Sequence, residues 1–344
     1  MAPEMTHLDG DLLLQLRTRI RATVGKYVPT GSPVALLDFP NHSNVGDCAI
    51  WLGEVAYLRD AGCDIVYRCD IPSYNPAVLR RSLTPEGTIL LHGGGNFGDI
   101  WPQHQRFREQ VLSDFPDYRI VILPQTIHFQ EMSSLETVRA ALAAHPSVTV
   151  LARDEASFSF ARANFQCLVD LSPDTALWLD PPGRASAVED EILWLARTDV
   201  EAVVDPSEED WRIPRVDWLA VARHDMKIRD WMLLRTLKRL TGLSQRTAGR
   251  YHLLSRVQGR LFDPVAAAHY TRGCQLLSRG SVVITDRLHA HLLCLLMGIP
   301  HVLLDNSYGK LSNFWKTWTN ESRLAVWGPD PRAAVALAYG LVGS

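Results

Sequence analysis

The chain has 344 residues, of which 47% are hydrophobic and 21% charged, with a formal net charge of −3. That length accommodates two domains with their own cores, and the composition is that of a globular protein. A charge so close to neutral gives no bulk electrostatic reason to bind nucleic acid or an anionic membrane.

The segment Met1–Gly10 carries acidic residues and no continuous apolar stretch, so no signal peptide is expected. No apolar run approaches the roughly 18 residues of a membrane span. The six cysteines are scattered without Cys-x-x-Cys spacing, which predicts reduced thiols in a cytoplasmic protein rather than zinc or a disulfide framework.

In chain order, residues 11–26 read as an opening amphipathic helix and Val34–Phe39 as the first core strand. The polar turn Pro40–Asp47 follows, then a helix over 48–61 and a strand over 64–69. Thr88–Leu91 is a strand opening into the glycine-rich segment His92–Asp99, which reads as a loop. A helix near 105–113, a strand over 119–123, the loop Pro124–His128, a helix over 135–145 and a strand over 148–151 come next. This alternation predicts a doubly wound parallel sheet. Leu171–Ala187 reads as a connection, and a second alternation starts at Glu191–Arg197. A long helical region is expected over 217–256, its Trp and Leu stripe belonging to a core. The expected architecture is α/β, with two Rossmann-like domains facing a central cleft. The first covers 1–180 and the second 190–344, and the last helix, 331–341, is left able to pack back on the first domain.

Ser281–His289 and the residues after it organise the second half. Val282, Val283 and Ile284 form a buried strand, Thr285 and Asp286 offer N-cap chemistry, Leu288–Met297 is an apolar helix ending at Gly298, and His301–Asp305 is the next strand. Arg287 and His289 thus stand where a parallel strand hands over to a helix, the place where open α/β sheets bind anions. The plainer alternative pairs Arg287 with Asp286 and leaves His289 structural.

Other loops end strands in the same way. Gly94, Gly95 and Asn96 lie in a cluster that is neither a Walker A loop nor a Gly-x-Gly-x-x-Gly fingerprint, so neither ATP nor NAD is supported; a tight turn explains it as well. His104 lies on the first turn of the following helix. Asn44 and Asp47 belong to a turn whose residue types also bind sugar hydroxyls, with Asp47 a candidate base. Arg153 ends an apolar strand and must either pair with an internal carboxylate or meet an anionic ligand. Lys310 adds a cation after the final strand. With no His-Glu-x-x-His motif and no Asp-x-Asp pair after a strand, no metal is expected.

Six segments stand in a fixed order from about residue 35 to 315. They are Asn44–Asp47, His92–Pro102, Pro124–Thr126, Ala152–Asp154, Thr285–Ala290 and Asn306–Lys310. As an ordered set they resemble the polysaccharide pyruvyl transferase family. The resemblance implies transfer of a pyruvyl group from phosphoenolpyruvate to two hydroxyls of a saccharide, giving a pyruvate ketal in cell-surface or exopolysaccharide synthesis. It also implies a fold like GT-B glycosyltransferases and no cofactor or required metal. Carried over by position, Arg153, Arg287 and His289 hold the donor and act on it, with His104 a fourth member; Leu288 and Lys310 are counted on the donor side, and proton chemistry makes His289 the candidate general acid. Asp47 is left to orient or deprotonate the acceptor, and Asn44, Gly94, Gly95 and Asn96 form the acceptor loops. The expected partners are phosphoenolpyruvate and a free or lipid-linked saccharide, in the cytoplasm and at the inner membrane face. The rivals are a GT-B glycosyltransferase using a nucleotide sugar and a non-catalytic saccharide-binding protein.

Overall fold

The computed structural model describes residues 7–180, 183–184, 188–198, 213, 215–219, 227–246, 252–306 and 309–342. The first part of the chain builds α1 (His7–Tyr27), β1 (Pro33–Leu37), α2 (Val45–Asp60), β2 (Asp64–Cys69), α3 (Pro76–Ser82) and β3 (Thr88–Leu91). It continues through β4 (Gly94–Gly98), α4 (Pro102–Asp114), β5 (Arg119–His128), α5 (Met132–Ala144), β6 (Val148–Ala152), α6 (Glu155–Asn164) and β7 (Leu168–Leu171). The strands form one parallel sheet in the order β2-β1-β3-β5-β6-β7, with β4 also paired to β5. The buried runs of β1, β3 and β6 are nearly continuous in apolar residues, as expected of strands covered on both faces.

The glycine-rich segment is not a loop. β5 runs on through Pro124 to His128; its first half pairs with β3, and its second half pairs with Gly94–Gly98. Gly94 and Gly98 have φ of 128° and 139°, a region that side chains avoid. Strand pairing therefore depends here on the glycines that make the sequence look like a turn.

The second part contains β8 (Asp190–Leu195), β9 (Arg215–Val216), α7 (Ile228–Arg246), α8 (His252–Leu277), β10 (Gly280–Thr285) and α9 (Leu288–Met297). β11 (His301–Leu303), α10 (Lys310–Phe314), β12 (Ala325–Trp327) and α11 (Pro331–Leu341) complete it. Its parallel sheet has the order β12-β11-β10-β8-β9. The expected helical region over 217–256 is corrected: Asp217–Leu219 is a turn after β9, and α8 runs past Pro264 to Leu277.

The last helix packs on its own sheet. Ala334, Val335 and Ala338 join Ile192, Trp194 and Val302 in one cluster, because small side chains let α11 lie close to β10 and β11. It is α1 that reaches across: Asp9 accepts hydrogen bonds from Ser322 Oγ (2.6 Å) and the Arg323 amide (3.2 Å).

The two sheets share a core. Leu36, Trp51, Phe262, Leu292 and Leu303 belong to one buried cluster. Phe39 stacks on Phe262 with ring centres 4.2 Å apart, and Trp51 Nε1 donates to Asp263 at 3.0 Å. An α8 packed on α2 in this way fixes one sheet against the other and so positions the loops between them.

Candidate active site

A cleft of about 340 Å³ lies at the carboxyl ends of both sheets. The first sheet contributes Asn44, Asp47, Gly95, Asn96 and His104; the second contributes Arg287, Leu288, His289 and Lys310. Nine of the residues singled out from the sequence therefore line one space. Gly94 stands just behind Asp47, while Arg153 is fully buried beneath the wall. Tyr308 lies outside the described residues.

Arg287 is itself the N-cap of α9, and its side chain makes no capping bond. The expected capping by Thr285 and Asp286 is redirected. Thr285 Oγ1 accepts from the Arg287 amide at 3.1 Å, whereas the Asp286 carboxylate accepts from the Arg197 amide at 3.0 Å. Nor does Arg287 pair with its sequence neighbour: its Nη2 donates to both oxygens of Asp217 at 2.8 Å, and its guanidinium lies 5.3 Å from the ring centre of Trp218. Asp217 and Trp218, missed from the sequence, orient the cation that faces the cleft.

His289 owes its place to Gly46. A Cβ at Gly46 would lie 2.6 Å from His289 Cγ and 2.9 Å from its Cβ, so only glycine admits the imidazole against the first turn of α2. His289 Nε2 is 3.4 Å from Asp174 Oδ2. Burial depresses the His289 pKa, with the positive Arg153 adding to the effect, against the opposing pull of Asp174 and Asp47. Burial alone would raise Asp174, but its contacts with His289 and Arg153 outweigh that and hold it ionised, far below the usual range.

Arg153 resolves into both of its alternatives. Nη1 donates to Asp174 at 2.7 Å and Nε to Thr126 Oγ1 at 2.9 Å, whereas the buried Nη2 has no hydrogen bond among the described residues. That Nη2 points to Gly95, where an added Cβ would lie 2.9 Å from it and 2.5 Å from Lys310 Cε. Two cations from opposite sheets thus meet over a backbone with no side chain. An anion could approach the main chain closely there.

Across the cleft, His104 Nδ1 sits 3.0 and 2.9 Å from the two oxygens of Asp38. A carboxylate on Nδ1 assigns the hydrogen to that nitrogen and leaves Nε2 as the acceptor. Asp38 has φ of 71°, the one positive value outside glycine among the described residues. Such strain clusters at functional sites because surrounding structure must maintain it. Asp47 accepts from Asn44 Nδ2 at 2.8 Å and lies 3.6 Å from His42 Nε2. Burial would raise its pKa, but His42, His289 and Lys310 lower it on balance. A carboxylate held down in this way is a weak base and is better suited to orienting a hydroxyl.

Among the described residues, no group of three or more His, Cys, Asp or Glu side chains is placed to hold a metal ion. No helix there is long and apolar enough to cross a membrane.

Comparisons with known proteins identify the family of the chain. The sequence pattern described as polysaccharide pyruvyl transferase matches residues 44–308, which include every cleft-lining residue named above except His42 and Lys310. Pyruvyl transferase 1 of Schizosaccharomyces pombe is 32% identical over 317 residues, covering 89% of this chain and 74% of the relative. A Bacillus subtilis relative, EpsO, named provisionally as a pyruvyl transferase, is 31% identical over 292 residues, covering 85% of this chain and 87% of its own. A solved Klebsiella pneumoniae protein of uncharacterized function shares the fold at 16% identity, with a TM-score of 0.52 over 95% of this chain and 100% of that one. By the extent of the matched pattern and the identity to these relatives, the chain belongs to the polysaccharide pyruvyl transferase family.

Proposed function

We propose that the protein transfers pyruvate from phosphoenolpyruvate to two hydroxyls of a saccharide unit, forming a cyclic ketal and releasing phosphate. The convergence of Arg153 Nη2 and Lys310 over Gly95, beside His289, carries the reading. Phosphoenolpyruvate bears a phosphate and a carboxylate, and Arg153 from the first sheet facing Lys310 and Arg287 from the second suits a small, highly charged donor. Two parallel sheets sharing one cleft also suit a GT-B-like enzyme with donor and acceptor on opposite sides.

His289 is the proposed general acid. Burial disfavours its imidazolium, but a bound trianionic donor would raise its pKa by adding negative charge next to it. The proton then passes to C3 of the enol, giving a methyl group and an oxocarbenium-like C2. The first sugar hydroxyl adds to C2 and gives its proton to His104 Nε2, with Asp38 stabilising the imidazolium that forms. Phosphate departs with its charge balanced by Arg153, Lys310 and Arg287. The second hydroxyl closes the ketal and gives its proton to His289, which the first step left neutral, so that the acid is restored. Asp47, with Asn44, orients the acceptor. The structure favours this role for His104 over donor binding, since its partner is a carboxylate. The donor's origin in central metabolism makes the cytoplasm the expected location.

Calorimetric titration with phosphoenolpyruvate, UDP and GDP tests the donor, and phosphate release with a panel of saccharides tests the transfer. Selective phosphoenolpyruvate binding is expected, weakened about tenfold or more in Arg287→Lys, because an ammonium cannot both hold Asp217 and keep the planar fork over Trp218. Binding of a nucleotide alone would replace this reading with a nucleotide-sugar glycosyltransferase.

A further inference from the structure

Helix α7 presents a face for which the proposed reaction has no use. Its inner line, with Leu237 and Thr241 buried, packs on α8. Its outer arc exposes Ile228 (79%), Met232 (57%), Leu243 (48%) and Trp231 (42%), whereas among the described residues no other helix exposes more than one large apolar side chain. At about 100° per residue, Ile228, Met232 and Leu243 fall within roughly 60° of one another. Arg239 projects among them, with Arg235 and Lys238 on one flank and Arg229 on the other, all exposed. Arg235 also lies 5.1 Å from the ring centre of Trp231. Asp230, beside Arg229, is the only acid of the helix. The chain as a whole is at −3, so this basic charge is local and does not show in the composition.

Bulky apolar side chains interleaved with Arg and Lys, and a Trp at the edge, are what a helix lying in the headgroup layer of an anionic bilayer needs. The apolar tips enter the acyl boundary and the cations meet lipid phosphates. A protein partner would instead call for a contiguous apolar seam, which Arg239 interrupts. We infer that α7 is a peripheral docking surface for an anionic membrane.

The position of α7 gives that docking a use. Trp231, Arg235 and Lys238 wall a groove of about 540 Å³ that shares His42, Ser43 and Leu219 with the cleft. A molecule seated on α7 would hold the open end of this groove at the lipid surface. If the transfer reading holds, a saccharide carried on a membrane anchor could enter from there; the docking itself does not depend on that reading.

The full chain is sedimented with vesicles of phosphatidylcholine alone and with one-third phosphatidylglycerol. Binding is expected only to the anionic vesicles. It should fall about tenfold or more in Arg239→Glu, which reverses one surface charge, and fall also in Met232→Ser/Leu243→Ser, which leaves the charge intact. None of these side chains lines the cleft or the groove, so circular dichroism and phosphoenolpyruvate titration should match the parent. That separates a failure of docking from a failure of the donor reading. Absence of binding to anionic vesicles overturns the inference. So does binding that the serine pair leaves unchanged, since that would describe an ordinary basic surface.

Discussion

Gly46 offers the sharpest test of how the site is assembled. It lies in the first turn of α2 with no positive φ, so alanine is compatible with its backbone and as a helix former would gain up to about 1 kcal/mol there. The new methyl, however, would lie 2.6 Å from His289 Cγ, far inside contact distance. Overpacking of this kind costs about 1–3 kcal/mol. The net effect on stability is therefore modest, between roughly zero and 3 kcal/mol of loss. Activity should suffer far more. If His289 supplies the proton, displacing it forfeits a general-acid contribution of about 10²–10⁴-fold, equivalent to roughly 3–5 kcal/mol of barrier. The assay is steady-state phosphate release with thermal melting on the same preparations, for Gly46→Ala, His289→Ala and the double variant. Gly46→Ala should lose turnover nearly as severely as His289→Ala while melting within a few degrees of the parent. Adding Gly46→Ala to His289→Ala should cost little more, because the two share one cause. Turnover near the parent level in Gly46→Ala, or fully additive losses in the double variant, would refute the claim that this glycine exists to seat His289.

Other consequences can be checked more simply. Asp38→Asn keeps a side chain that tolerates the left-handed backbone at φ 71° but removes the charge behind His104. Turnover should drop about 10²-fold with donor affinity intact, and a parallel loss of donor affinity would return His104 to the donor side. Stability should fall as the solution is acidified from pH 6.5 toward 4. His291 Nδ1 lies 2.7 Å from His301 Nε2 inside the second domain, and burial pushes His301 down to about 4 and His291 well below its usual range. Burial takes His269 to about 4 as well. The unfolded chain takes up protons near 6.5 that the folded one refuses, so the stability present above that pH is lost below it, by up to roughly 3 kcal/mol for His301 alone. Melting temperatures that stay flat or rise between pH 7 and 5 would contradict this.

What was legible from sequence divides along a physical line. Periodicity and terminator residues located β10, α9 and β11 almost to the residue, because Val282–Ile284 are β-branched and Gly298 adopts the left-handed C-cap with φ 65°. The seventh strand of the first sheet was not legible. Gly94–Gly98 has no β-propensity of its own and is a strand only because β5 continues beside it. The short β7 and α6 carry weak patterns, and neither was expected. The Trp and Leu stripe near 217 suggested a helix core, yet Trp218 is buried in the shared core and also faces the cleft from a turn.

The site shows the same division, for a reason rooted in strand geometry. Cleft residues announced themselves by type: Arg, His, Asn and Gly at strand ends. Their partners did not. Asp38 serves His104 from 66 positions away, Asp217 serves Arg287 from 70, and Asp174 meets Arg153 from 21. Asp286 and Arg287 are neighbours in sequence, but the extended backbone at Arg287 (φ −103°, ψ 118°) sends consecutive side chains to opposite sides. One therefore serves the Arg197 backbone and the other Asp217. A charged residue at the end of a parallel strand finds its counterion on an adjacent strand or across the interface, where register decides and spacing along the chain does not. Partners of that kind become visible only once the sheet order is known, and here they are the groups that determine how each cation and imidazole faces the cleft.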